Sequence, residues 1–312
     1  MALFILLPFF IALAFLPGLI WFSRRFGVVD NPIGDVLKIH KKAIPHLGGL
    51  AVFIAFVLSI FSVQVFASRI VFDAKLSALL VSSFAFFLLG VWDDIRWKHI
   101  SNINPRFKLL LLLLFSAMTA VTLFVFGVPF QFIPLAGFGV AVAFLYILGL
   151  VNAVNFEDGL DGLAGGVGVL SLLGFAFVGW VIGDSFIVAV SLLCFGGFLA
   201  FLVFNFPPAK IFMGDGGAFF LGCILAVLAI ILSRPYDIWS VVGPILIIGV
   251  PVFDTGATIV RRILNKTSPF LGDRDHLYDK LYKQTNSIHK TLFLHYGVQL
   301  LLVVLGATLY LR

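Results

Sequence analysis

The chain has 312 residues, of which 61% are apolar and only 12% charged, with a mean hydropathy of +1.13 and a formal net charge of +6. Soluble domains carry about 25% charged residues, so a water-soluble globular protein is excluded, and nucleic acid is not an expected partner. Apolar runs of about 20 residues, each long enough to cross a bilayer, recur along the whole length and imply one multi-helix membrane domain over 1–312.

In chain order the runs fall at 2–22, 47–67, 76–92, 108–126, 138–154, 166–183, 185–204, 217–232, 238–258 and 291–311. They are continuous rather than alternating at period two, which selects helices over a barrel. The expected fold class is therefore all-α, a polytopic membrane protein of about ten transmembrane helices. The first run lacks a basic leader and is followed by Arg24 and Arg25 instead of a small-residue cleavage site, so it reads as a retained span. Cys194 and Cys223 lie inside apolar runs without ligand spacing and read as small packing residues.

Sorting the connections by side places 17 of the 21 Lys and Arg on one face, which the positive-inside rule makes cytoplasmic, with both termini outside. Topology and anionic lipid explain such a basic face without any active site. They do not explain the acids: 12 of the 15 Asp and Glu gather on the same face, at helix ends where the cost of burying charge is avoided. A surface site that uses carboxylates and cations together accounts for both.

Five segments on that face carry the polar residues. "LKIHKKAIPHLGG" (37–49) holds Lys38 and His40, and "GVWDDIRWKHISNINPRFK" (90–108) holds Asp93, Asp94 and Lys108. Neighbouring helical residues do not share a face, so Asp93 and Asp94 suit different partners better than joint chelation; alone they also fit a solvated helix end. In "VNAVNFEDGLDGLAGG" (151–166), Asn152, Asn155, Asp158 and Asp161 are spaced by three, which makes them neighbours if the helix continues. Their oxygens suit a hard cation such as Mg²⁺, and the plain alternative is a polar helix end with turn glycines.

Asp215 in "NFPPAKIFMGDGGAFFLG" (205–222) sits in a glycine turn that presents one carboxylate. In "VPVFDTGATIVRRILNKTSPFLGDRDHLYDKL" (250–281), Asp254 lies well inside the ninth span and reads as a locally paired structural acid. Lys38, His40, Lys108, Lys210, Arg261, Arg262, Arg274 and His276 are either topology charges or phosphate ligands. Leu277 and Leu281, with Tyr278 and Tyr282, have the i, i+4 spacing of a short helix lying on the membrane.

"NAVNFEDGLDGLAGG", "KIFMGDGGAFFLG", the "WDD" that ends a span and "RRILNKTSPFLGDRDH" together resemble the polyprenyl-phosphate N-acetylhexosamine-1-phosphate transferases, in the right order over about 37–290. The resemblance implies ten helices, a cytoplasmic-facing site, a homodimer and a Mg²⁺ cofactor. It also implies transfer of a HexNAc-1-phosphate from a UDP-N-acetylhexosamine to undecaprenyl phosphate, releasing UMP, in the bacterial cytoplasmic membrane. Carried over by residue, it makes Asn155 and Asp215 the metal ligands and Asp93 and Asp94 the catalytic pair at the lipid-phosphate end. It assigns Lys38, His40, Lys108, Asn152, Asp158, Asp161, Arg274 and His276 to substrate binding.

"SPFLGDRDH" looks more like the GlcNAc-type branch than the MurNAc-pentapeptide translocase, the alternative within the family. Leu37 stands where Arg is frequent, Ala218 where Ser is usual, Trp97 where some members have Asp, and Tyr278 and Asp279 replace two histidines. An ion-coupled transporter is the rival from another class, but transporters place their sites near the midplane on broken helices, whereas these acids lie at helix ends. A CDP-alcohol phosphotransferase would need a DG-x-x-AR pattern, which "DGLDGL" lacks.

Overall fold

The computed structural model describes residues 1–32, 42–67, 73–99, 105–133, 135–266 and 275–312. Among these, nine helices are long and apolar enough to cross a membrane: α1 (Ala2–Arg25), α2 (Gly48–Ala67), α3 (Ala74–His99), α4 (Pro105–Val125), α5 (Ala136–Glu157), α6 (Leu163–Ile182), α7 (Ser185–Asn205), α8 (Gly214–Ile231) and α12 (Ile288–Tyr310). A tenth span is broken into α9 (Trp239–Ile247) and α10 (Gly249–Leu264), and α11 (Leu277–Thr285) is short. The chain is an all-α, multi-pass membrane protein. Among the described residues its only sheet is a two-residue antiparallel ribbon, β1 (Val29–Asp30) with β2 (Ile44–Pro45), in a connection that the sequence left unassigned.

At the centre runs α8, in which every residue from Gly216 to Ile230 is buried. A helix apolar all round belongs in the middle of a membrane bundle, and α8 packs against α2, α3 and α5. Lipid tails are as apolar as leucine, so these helices associate by close packing, which small residues permit. On α3, a Cβ added to Gly90 would collide with the backbone of Asp215 and Gly216. The bare glycine therefore lets α3 touch the very start of α8. Phe53, Phe87 and Phe220 fill the space beyond, with the first two rings stacked at 4.1 Å and the third edge-on to Phe53.

The ninth predicted span differs from expectation. Instead of running straight over 238–258, it bends by 92° between α9 and α10. Pro251 explains the break, because it has no N–H to donate back to Ile247 and its ring crowds that carbonyl. Backbone groups freed inside a membrane need new partners, and Gln299 of α12 supplies them. Its Oε1 accepts from Val250 N at 2.9 Å and its Nε2 donates to Ile247 O at 2.7 Å. The bend leaves α10 and α11 beside the ends of α5 and α12, at the end of the bundle that carries the polar residues.

Candidate active site

The site begins where α3 meets α8. Asp94 lies four residues after Gly90, on the same face of α3, and its two carboxylate oxygens accept from Asp215 N at 3.0 Å and Gly216 N at 3.1 Å. The residue before α8, Met213, offers no side-chain cap, so Asp94 satisfies the orphan donors of α8 from another helix. Gly214 takes a left-handed φ of 74° to make the turn into the helix. Asp94 is thus committed to holding Asp215 in place.

Asp93 points to a different partner. Lys108 Nζ of α4 lies 2.6 Å from Asp93 Oδ2 and 2.6 Å from Asp215 Oδ2, and above the Phe219 ring at 5.4 Å from its centroid. The remaining Asp215 oxygen, Oδ1, accepts from Asn155 Nδ2 of α5 at 2.7 Å. Two helices thereby converge on the Asp215 carboxylate, α4 through Lys108 and α5 through Asn155, while α3 holds the Asp215 backbone N–H through Asp94. Asp93 Oδ1 is buried and has no hydrogen-bond partner among the described residues.

The continuation of α5 through Asp161, on which the spacing of three depended, does not occur. The helix ends at Glu157, Asp158 is its C-cap, and 158–162 is a turn that Gly162 closes at φ 79°. Asp158 and Asp161 are therefore not successive positions on one helix face. Asp161 Oδ2 accepts from Ala209 N at 2.9 Å in the connection between α7 and α8. Beside it, Asn205 Oδ1 accepts from Gly162 N and Asn205 Nδ2 donates to Ile211 O, both at 2.9 Å. Burial pushes the half-buried Asp158 carboxyl well above the ordinary carboxylate range, and the Asp215 and Asp161 carboxylates push it the same way. Asn152 donates to Leu148 O of its own helix at 2.7 Å and, among the described residues, has no hydrogen bond to the Asp215 cluster.

A second cluster forms where α10, α11 and the end of α5 meet. Asp254 is paired not locally but across 22 positions. Its Oδ2 lies 2.6 Å from His276 Nδ1, and its Oδ1 accepts from Leu277 N, also at 2.6 Å, capping α11. The His276 ring stacks on Tyr278, and the Tyr278 hydroxyl donates to Phe156 O at 3.3 Å. Arg261 pairs with Asp275 next to this cluster.

Of the predicted site residues, the structure joins Asp93, Asp94, Lys108, Asn155 and Asp215 in one network. Asp158 and Asp161 lie on the adjoining turn, and His276 lies in the second cluster. Lys38, His40 and Arg274 lie outside the described residues. Sequence reasoning passed over Asn205, whose only signal was a lone amide at the end of an apolar helix, and Glu157, which was counted among the acids without a role. Glu157 is 1% exposed, and neither of its carboxylate oxygens has a hydrogen-bond partner among the described residues.

An unpaired polar group so placed costs about 1–3 kcal/mol, and more if charged. Glu157→Met is therefore expected to raise the thermal midpoint in detergent, read by tryptophan fluorescence. An unchanged or lowered midpoint would mean that the carboxylate is compensated.

The sequence model of glycosyl transferase family 4 matches residues 76–233, a stretch that holds the whole Asp93–Lys108–Asn155–Asp215 network. The chain belongs to this family. It is 37% identical over 263 residues to a probable undecaprenyl-phosphate N-acetylglucosaminyl 1-phosphate transferase of Bacillus subtilis, covering 82% of this chain and 70% of that protein. It is also 32% identical over 269 residues to the phospho-N-acetylmuramoyl-pentapeptide-transferase of Streptococcus pneumoniae D39, covering 82% of this chain and 79% of that one.

Proposed function

We propose that the protein transfers a HexNAc-1-phosphate, with GlcNAc as the first candidate, from a UDP-sugar to undecaprenyl phosphate at the cytoplasmic face of a bacterial cytoplasmic membrane. The products are undecaprenyl-diphosphate-sugar and UMP, and the reaction opens synthesis of a cell-envelope polysaccharide. The observation that carries this reading is Lys108, held 2.6 Å from both Asp93 and Asp215 at one end of the bundle, with Asn155 on the second Asp215 oxygen. Family membership and the named relatives support it.

In this reading an oxygen of the lipid phosphate attacks the β-phosphorus of the UDP-sugar. The bond from that phosphorus to the bridging oxygen breaks, and UMP leaves with the oxygen and its electron pair. A phosphate monoester with a second pKa near about 6 is mostly dianionic at neutral pH, so no strong base is needed. The harder task is to bring a dianion against a diphosphate. Lys108 supplies positive charge at that point, Asp93 orients Lys108, and Asp94 fixes the start of α8.

A Mg²⁺ ion fits the donors present. Asp215 and the Asn155 carbonyl offer hard oxygens, and Asp93 Oδ1 is a buried oxygen that lacks a partner among the described residues. When bound, the ion would neutralise phosphate charge and align the diphosphate.

The deciding experiment uses purified protein with undecaprenyl phosphate, Mg²⁺ and a panel of UDP-HexNAc donors that includes UDP-MurNAc-pentapeptide. UMP and a lipid-linked product are expected with UDP-GlcNAc, and both should disappear with EDTA. The pneumococcal relative favours the pentapeptide donor as the second reading. No UMP from any donor, or ion flux through proteoliposomes without turnover, would overturn the transferase assignment.

A further inference from the structure

The Asp254 pairing is more specific than a buried acid finding a counter-charge. Asp254 is 1% exposed and His276 5% exposed, and the carboxylate uses one oxygen on His276 Nδ1 and the other on Leu277 N. Both contacts are 2.6 Å long. Thr258, one turn further along α10, has its hydroxyl 3.4 Å from the same Nδ1. The ring is held flat against Tyr278, with centroids 5.4 Å apart and planes 6° apart, while the Phe156 ring lies tilted beside it with its centroid 5.9 Å away. No hydrogen bond reaches His276 Nε2 among the described residues.

A carboxylate is an acceptor only, so Nδ1 must carry the proton it shares with Asp254. The partner of one ring nitrogen sets the state of the other, which leaves the Nε2 of the neutral ring as an acceptor.

We infer that Asp254 is a positioning residue: it locks His276 in the Nδ1–H form and aims Nε2 at a hydrogen-bond donor of the nucleotide sugar, a hydroxyl or an amide N–H. Asp254 itself touches no substrate. Its effect on turnover runs through His276, while its second oxygen starts α11 and thereby fixes the chain that carries the histidine. The activity part of this inference rests on the transferase reading, whereas the state of the ring does not.

The test is Asp254→Asn. The asparagine carbonyl still accepts from Leu277 N, so the helix start survives, but its amide N–H now faces Nδ1 and drives the ring proton to Nε2. With ¹⁵N-histidine labelling, long-range ¹⁵N–¹H spectra of the detergent-solubilised protein should show the His276 ring as Nδ1–H in the native chain and Nε2–H in the variant; His276→Ala identifies the signal. UMP release should fall by about ten-fold or more, with the loss weighted toward a higher KM for the UDP-sugar.

In the His276→Ala background, Asp254→Asn should cause no further loss, because residues acting through one another are not additive. An Nε2–H ring in the native protein would overturn the inference. So would activity of Asp254→Asn within about two-fold of native, or losses that multiply in the double variant. If no donor yields UMP, the spectra alone decide the tautomer, and the transferase reading fails separately.

Discussion

Replacing Asp215 with Asn is expected to lower UMP release by at least about 10²-fold, the scale on which removing one preorganised charge-stabilising group acts, while leaving the protein folded. The two halves of this expectation have different causes. The fold survives because the start of α8 is held by Asp94, which takes the backbone N–H groups of Asp215 and Gly216 and never touches the Asp215 side chain. Turnover is lost because the Asp215 carboxylate is the point on which Lys108 and Asn155 converge, each from a different helix. An amide of the same shape keeps one acceptor oxygen but turns an N–H donor toward Lys108 or Asn155, and it no longer attracts the lysine or a divalent cation. UMP release measured across a Mg²⁺ titration, beside a thermal melt, separates the two. Near-native turnover in saturating Mg²⁺ would remove Asp215 from the proposed metal site.

The second large effect is expected at Lys108. Lys108→Met leaves Asp93 and Asp215, whose side chains are 5% and 26% exposed, facing one another without a cation. Breaking a buried ion pair from one side costs about 3–5 kcal/mol, because the stranded charge stays behind. The Lys108 side chain keeps 33% of its exposure, so water screens part of the change and the lower end of that range is expected. The thermal midpoint in detergent should fall, and UMP release should fall with it. Asp93→Asn in the same chain should recover part of the midpoint but none of the activity, since it relieves the repulsion without restoring a positive charge at the proposed phosphate site. Recovery of both would show that Lys108 is structural only.

Helix type and most span limits were readable from the sequence because each run is apolar and long, and lipid permits few alternatives to a helix. Asp93, Asp94, Lys108, Asn155 and Asp215 were likewise readable as polar residues at the ends of such runs on one face. What the spacing could not supply was the division of labour within the site. A separation of three between Asn155 and Asp158 is a helical spacing only while the helix lasts, and α5 ends between them, at Glu157. Asp254 looked like a local structural acid because its partner, His276, comes from a segment 22 residues later that returns to the bundle only after the bend at Gly249. That bend was itself hidden. Hydropathy is blind to it, and Pro251 breaks the span acceptably only because Gln299, 48 residues further on, completes the backbone bonds.

The contact of Gly90 and Asp94 with the start of α8 also bears on how this chain can change length. Both residues depend on one rotational setting of α3, since each residue of a helix advances it by about 100°. A single residue inserted or deleted within α3 ahead of Gly90 would swing the glycine and the carboxylate together away from α8. Asp215 would then lose its support although every side chain of the site remained present. Exchange of one lipid-facing residue for another disturbs none of this. Ahead of Gly90, α3 is thereby open to substitution but not to a change of length.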